Sequence, residues 1–225
     1  MATIKDINEK YPKRNGYYFI SDDKGEHKFP SITKIIDVIS KPYLIPWAAK
    51  KCIDIALDNP TLNTDDVYTI HRNRDVIAAG TRGTGVHNMA FELIKDINYQ
   101  YLPVYKEYAD PIIRFLSEFK PEIIWREKVL VSFKYGIGGT ADYLMRINGL
   151  EYLIDIKTSP KVYTSHGLQL DFYDHAKEEV EGRKADKLCV LHLPGDGTFD
   201  LKEVKGDMDV VMAMKKIYNW IKGEE

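Results

Sequence analysis

The stretch "GGTADYLMRINGLEYLIDIKTS", residues 138–159, carries Asp142, Asp155 and Lys157 within a short span. Asn148-Gly149 in its middle is a strong hairpin signal, because both central residues of a type I′ turn need positive φ. Closing the chain there pairs Ile147 with Leu150, Arg146 with Glu151, Leu144 with Leu153, Asp142 with Asp155 and Thr140 with Lys157. Directly opposed side chains sit roughly 4.5–5.5 Å apart at Cβ, where like charges are destabilising. Two carboxylates so placed either share a proton, one of them with a raised pKa, or hold a cation between them. Lys157, on the same face as Asp155, adds a fixed positive charge. In the bland alternative, Lys157 and Arg146 simply neutralise a solvated polar face.

Composition supports this register, since strand side chains alternate between faces. One face collects Ala141, Tyr143, Met145, Ile147, Leu150, Tyr152, Ile154 and Ile156, and must pack on a core. The other holds Thr140, Asp142, Leu144, Arg146, Glu151, Leu153, Asp155 and Lys157. A slip of one residue destroys the segregation.

The elements that would position this hairpin follow from the rest of the chain. "GYYFISDDKGEHKF" predicts a small hairpin turning at Asp22 to Gly25. "PSITKIIDVIS" predicts a helix with Ser31 as N-cap, and "PWAAKKCIDIAL" another with Pro46 in its first turn. "DDVYTIHRNRDVIAA" and "GVHNMAFELIKDI" read as two helices hinged at glycines 80, 83 and 85, with His87 opening the second. A further helix runs from about Val104 to Phe119, with Pro111 starting or kinking it. Strands follow in "WREKVLVSF", the Asn-Gly hairpin, "KLCVLHL" and "FDLKEV". "SHGLQLDFYDHAKEEV" is the helix between them, and "MDVVMAMKKIYNWIK" closes the chain as another. The expectation is an α/β (α+β) fold in one domain, residues 1–225, with a mainly helical front to 120 and a sheet core from 121.

The 225 residues are 44% hydrophobic and 29% charged with a net charge of −2, so bulk charge does not announce nucleic-acid binding. No apolar run approaches the roughly 20 residues of a membrane helix, and the first residues lack a secretory signal's apolar core. Two cysteines, Cys52 and Cys189, are too few for a disulfide framework or an iron–sulfur site. A cytoplasmic home is therefore expected, without a membrane partner.

Other candidate residues are weaker alone. Gly83 and His87 lie one helical turn apart, so the absent side chain leaves room to approach the imidazole. The glycine spacing there matches neither phosphate-loop fingerprint. Gln169 and Tyr173 share a helix face at i, i+4. Glu127 is a further acid able to face the aspartates. Lys50, Lys51, Arg72, Arg74 and Arg82 either line a backbone-binding groove or form a solvated face. His71, His166, His175 and His192 show no partner pattern and read as structural.

Taken in order, GxxxH (Gly83 to His87), GxxD (Gly139 to Asp142), DxK (Asp155 to Lys157) and QxxxY (Gln169 to Tyr173) resemble the RecB-like branch of the PD-(D/E)XK nuclease superfamily. The similarity spans roughly residues 80–200. The lead-in "FPSITKIIDVISKPYLIPWAAKK" also resembles phage exonucleases and the mitochondrial genome-maintenance exonuclease. The resemblance implies a restriction-endonuclease-like core, a central mixed sheet flanked by helices, with an N-terminal helical elaboration. It implies that Asp142 and Asp155 hold one or two Mg²⁺ or Mn²⁺ ions, with the Ile156 carbonyl and His87 completing the shell. Lys157 would orient or activate the attacking water, and Gln169 and Tyr173 would brace the site or touch DNA. The implied activity is DNA hydrolysis, as an exonuclease in recombination, repair or replication, on DNA that has a free end or is single-stranded. A separate recombination or replication protein is an implied partner, and the host cytoplasm the location if the chain is phage-encoded. Two other readings are an idle nuclease fold that binds nucleic acid, and a metal phosphohydrolase for small substrates.

Overall fold

The computed structural model describes residues 12–22, 25–39, 41 and 44–223. The chain starts with a three-stranded antiparallel ribbon, β1 (Lys13–Arg14), β2 (Tyr17–Asp22) and β3 (Gly25–Pro30). The hairpin expected in this region is present, with Tyr18 paired to Phe29 and Asp22 to Gly25. Residues 23 and 24 of its turn lie outside the described residues. Ser31 then caps α1 (Ile32–Ile36), its hydroxyl accepting from the Lys34 N–H as expected.

A helical arm follows: α2 (Leu44–Asp58), with Pro46 in its first turn, and α3 (Thr64–His71), capped by Asn63. The expected hinge at glycines 80, 83 and 85 is not there. The helix instead passes through a π-helical stretch, Arg72–Ile77, straight into α4 (Ala78–Lys95), which contains all three glycines. His87 therefore sits well inside a helix rather than at its start. None of the three glycines has positive φ. One of them is tied down by packing: a Cβ on Gly85 would lie 2.0 Å from the Tyr105 hydroxyl. Tertiary contact here overrides the local cost of glycine in a helix, about 1 kcal/mol each. After a short 3₁₀ turn, α5 (Lys106–Phe119) carries Pro111 in its interior, neither starting nor ending there.

The second sheet is mixed and five-stranded, in the order β4 (Glu122–Ser132), β5 (Ile137–Ile147), β6 (Leu150–Lys157), β7 (Lys187–His192), β8 (Asp200–Glu203). Pairings are antiparallel except β6 with β7, which are parallel and joined through α6 (Thr164–Glu181). The last helix is α7 (Met208–Lys222). Asn148 and Gly149 have φ of 50° and 83°, and the β5–β6 register is the expected one from Ile147–Leu150 to Tyr143–Ile154.

Helices cover both faces of this sheet. Val86, Met89 and Leu93 of α4, with Ile112 and Phe115 of α5, pack on Tyr143, Met145, Ile147, Ile154 and Ile156. Ile32 and Ile35 of α1, Phe172 and Ala176 of α6, and Val211 of α7 pack on Leu144, Leu153 and Val190. Each such buried large side chain contributes roughly 1.5–3 kcal/mol. The alternative of a solvated polar face does not hold, since this face is a second buried layer: Leu144 and Leu153 on it are buried, and so are the acids Glu151 and Asp155. The chain has the expected mixed α/β architecture, a central mixed sheet flanked by helices. Among the described residues no helix is long and apolar enough to cross a membrane.

Candidate active site

The β5–β6 ladder stops at Tyr143 and Ile154, one pair short of the two aspartates. Beyond that point the Asp142 carboxylate takes over, accepting from the Ile156 N–H at 2.8 Å. Asp155 lies on β6 opposite Val190 of β7 and is only 2% exposed. Lys157, the last residue of β6, brings its Nζ to 2.5 Å from Asp155 Oδ2. Asp155 Oδ2 is buried, and the Lys157 ammonium is its charge partner. The strand end is anchored, since the Lys157 carbonyl accepts from Leu193 N and the His192 ring contacts the Ser159 carbonyl at 2.7 Å.

His87 reaches the same acids from α4, its Nδ1 3.4 Å from Asp142 Oδ2 with a third of the side chain exposed. Burial and the neighbouring Asp155 charge push the Asp142 carboxyl up from 3.8 to about 6, against the opposing pull of His87, Lys157 and the Ile156 N–H. For Lys157, burial disfavours the charge, but Asp155 and Asp142 outweigh it and leave the ammonium above its ordinary range. The acids thus repel, and the amine beside Asp155 is held in its cationic form.

Gln169 and Tyr173 form a bracket on α6, the Gln169 amide donating to the Tyr173 hydroxyl at 2.8 Å. Burial, then the charge of Asp155, holds the Tyr173 phenol well above its usual range. Its ring presses on β5 where Gly139 has no side chain: a Cβ there would lie 2.2 Å from Tyr173 Cε1. Gly138 likewise leaves room for Tyr18 of the ribbon, at 2.5 Å from such a Cβ. The two adjacent glycines on β5, of which Gly139 opens the GxxD motif, thus admit one tyrosine each. Gly83 faces Thr158, the residue after Lys157, at an ordinary 3.7 Å from a built Cβ, so nothing in the chain itself requires glycine there.

Asp142, Asp155, Lys157, His87 and the Ile156 backbone therefore come together, with Gln169 and Tyr173 behind them. Glu127 stands between the Arg126–Tyr143 and Lys128–Ala141 pairs, level with Asp142, at a φ of 45°. Lys50, Arg72, Arg74 and Arg82 are exposed on the helical arm and α4, away from these contacts. Two residues beside the site, Tyr18 and His166, carried no pattern in the sequence. Tyr18 donates to or accepts from Thr140 Oγ1 at 2.9 Å across 122 residues. His166, at the start of α6, is driven down to about 4 by burial and then by Lys157, so it is neutral. The Gly138-Gly139 doublet inside a strand was the one available sign of a close approach.

A divalent ion fits this chemistry in one respect: the buried Asp155 carboxylate lies near enough to a second acid, Asp142, to raise its carboxyl. No three His, Cys, Asp or Glu side chains converge as a ready ligand set among the described residues. His87 contacts Asp142 and Lys157 contacts Asp155 directly.

No family model and no curated protein matches the chain. Among solved structures, the crystal structure of an alkaline exonuclease (LHK-Exo) from Laribacter hongkongensis is similar at 14% identity and a TM-score of 0.40, covering 86% of this chain and 85% of that one. The crystal structure of SSO0001 is similar at 16% identity and a TM-score of 0.40, covering 85% and 75%. Likeness at this level leaves the chemistry of the site to its own residues.

Proposed function

We propose that the protein is a divalent-metal-dependent nuclease that hydrolyses DNA phosphodiester bonds, acting as an exonuclease in recombination, repair or replication. The observation that carries this reading is the buried Asp155 carboxylate, ion-paired with Lys157 and near enough to Asp142 to raise its carboxyl. Evolution of a purely structural site would favour a neutral residue in place of such crowding.

Asp142, Asp155 and the Ile156 carbonyl, with His87, would hold Mg²⁺ or Mn²⁺. Bound there, the ion supplies Lewis acidity toward a phosphoryl oxygen and acidifies a coordinated water. Lys157 orients the attacking water and meets the negative charge that grows on the phosphoryl oxygens, a preorganised donor that needs no rearrangement during the reaction. The Ile156 N–H fixes the Asp142 carboxylate, and the neutral Tyr173 phenol with Gln169 holds β5 in place behind it.

End-labelled linear DNA and closed circular DNA, each incubated with Mg²⁺ and with Mn²⁺, test the proposal. Loss of the linear substrate with sparing of circles supports an exonuclease, and cutting of circles supports an endonuclease. A second reading, an idle nuclease fold that binds DNA, is favoured by the direct contacts of His87 and Lys157 with the acids. Binding without cleavage in Mn²⁺ would select it, whereas phosphate release from nucleotides alone would select a small-substrate phosphohydrolase.

A further inference from the structure

Tyr17 and Tyr18 are neighbours on β2 and point to opposite sides of the ribbon. Tyr18 turns inward to Thr140, whereas the Tyr17 hydroxyl shares a hydrogen bond of 2.5 Å with that of Tyr218 on α7. That bond joins two patches of unlike character. On the ribbon side, the ammonium groups of Lys28 and Lys34 stand 4.2 Å and 4.9 Å from the centre of the Tyr17 ring. Arg14 lies directly opposite Tyr17 on β1. A ring face attracts a cation but neutralises no charge. Among the described residues none of these three cations forms an ion pair, not even with Glu26, two positions before Lys28 on β3. Positive charge is thus concentrated here in a chain whose net charge is −2. On the helix side, Ile217, Trp220 and Ile221 are 49%, 82% and 59% exposed. Their spacing of three and four residues sets them together on one side of α7. The core side of that helix is already filled by Val211, Met214 and Tyr218, so the fold itself has no use for a second apolar face.

We propose that these two patches form one docking surface for a partner protein, which presents an acidic peptide ending in bulky apolar side chains. The acids meet Arg14, Lys28 and Lys34, and the apolar end covers Trp220 with Ile217 and Ile221. Charge complementarity selects this occupant. A nucleic acid would also answer the cations, but its phosphates gain nothing from two isoleucines. A second copy in a two-fold contact would set these cations against their own kind. The proposal does not rest on the nuclease reading.

The test is fluorescence anisotropy of a fluorescein-labelled peptide, Asp-Glu-Asp-Glu-Asp-Leu-Leu-Phe, titrated with wild type, Lys28→Gln and Trp220→Ser. A peptide with Asn and Gln in place of its acids, one with Ser in place of its apolar end, and a labelled oligothymidine are the comparisons. Wild type should bind the first peptide saturably and each altered peptide about tenfold more weakly. Trp220→Ser should weaken binding about tenfold at any salt concentration. Lys28→Gln should weaken it about threefold at low salt, a difference that fades by about 0.5 M. Both side chains are exposed, so both variants should melt within about 2 °C of wild type. No binding by wild type, or equal binding by Trp220→Ser, would overturn the proposal. Tighter binding of oligothymidine that Lys28→Gln weakens would overturn it in favour of a nucleic acid. Dimerisation of wild type in sedimentation that Trp220→Ser abolishes would overturn it in favour of a second copy.

Discussion

Replacing Asp142 by asparagine should make the metal-free protein more stable. The folded carboxyl is raised from 3.8 to about 6, a net value that already includes the help of His87, Lys157 and the Ile156 N–H. At about 1.36 kcal/mol per unit, ionised Asp142 costs the fold about 3 kcal/mol relative to a neutral group of the same shape. The sign follows from linkage. Above about pH 6 the folded protein carries the charge at full cost. As pH falls from there toward 3.8, the folded chain takes up a proton that the unfolded chain does not, and wild type gains stability. For a chain of this size each kcal/mol moves Tm by roughly 2–4 °C, giving a ceiling of roughly 6–12 °C. Because 15% of the side chain remains exposed, solvent screening favours the lower part of that range. Scanning calorimetry in chelator should therefore show Asp142→Asn melting about 6 °C above wild type at pH 7.5, a gap that closes by about pH 4. An unchanged or lower Tm at pH 7.5 would refute the claim that the acids repel one another.

Three further outcomes follow from neighbouring contacts. Lys157→Met removes the cation beside an acid that is 2% exposed, and should cut DNA cleavage at least about 100-fold while destabilising the fold by about 3 kcal/mol, read by urea titration. Gly139→Ala drives a Cβ to 2.2 Å from the Tyr173 ring and should cost about 1–3 kcal/mol, whereas Gly83→Ala, with 3.7 Å of clearance, should gain about 0.5–1 kcal/mol. If Gly83→Ala is stabilised yet inactive in the DNA assay, that glycine serves the approach of substrate to His87. Lys177→Met removes one of three cations around the buried Glu151, whose Oε1 keeps Arg146 and Arg183, and should lower stability by about 1–3 kcal/mol with kcat unchanged below the melting range, since Glu151 lies at the far end of β6.

The reach of the sequence can be traced through particular residues. Asn148-Gly149 set the hairpin register because a turn of that type demands positive φ, a local rule that neighbours seldom override. The register then carried Asp142 and Asp155 together, although the ladder itself ends one pair earlier. Alternation separated two faces correctly but not their burial, because Leu144 and Leu153 announce a second core only once α6 is laid over them. The glycines of α4 looked like a hinge by composition, and Tyr105, a partner from the next segment, keeps one of them within the helix. The Tyr18–Thr140 contact left no local pattern at all, since it depends on the docking of two sheets distant in the chain.

The central claim is that Asp142 and Asp155 coexist because a divalent cation binds between them. Titration of Mn²⁺ into wild type, Asp142→Asn and Asp155→Asn, followed by the electron paramagnetic resonance of the free ion, tests it most directly. Saturable binding by wild type that is lost in both variants is the expected result. Equal uptake by all three proteins, or none by wild type, would contradict it.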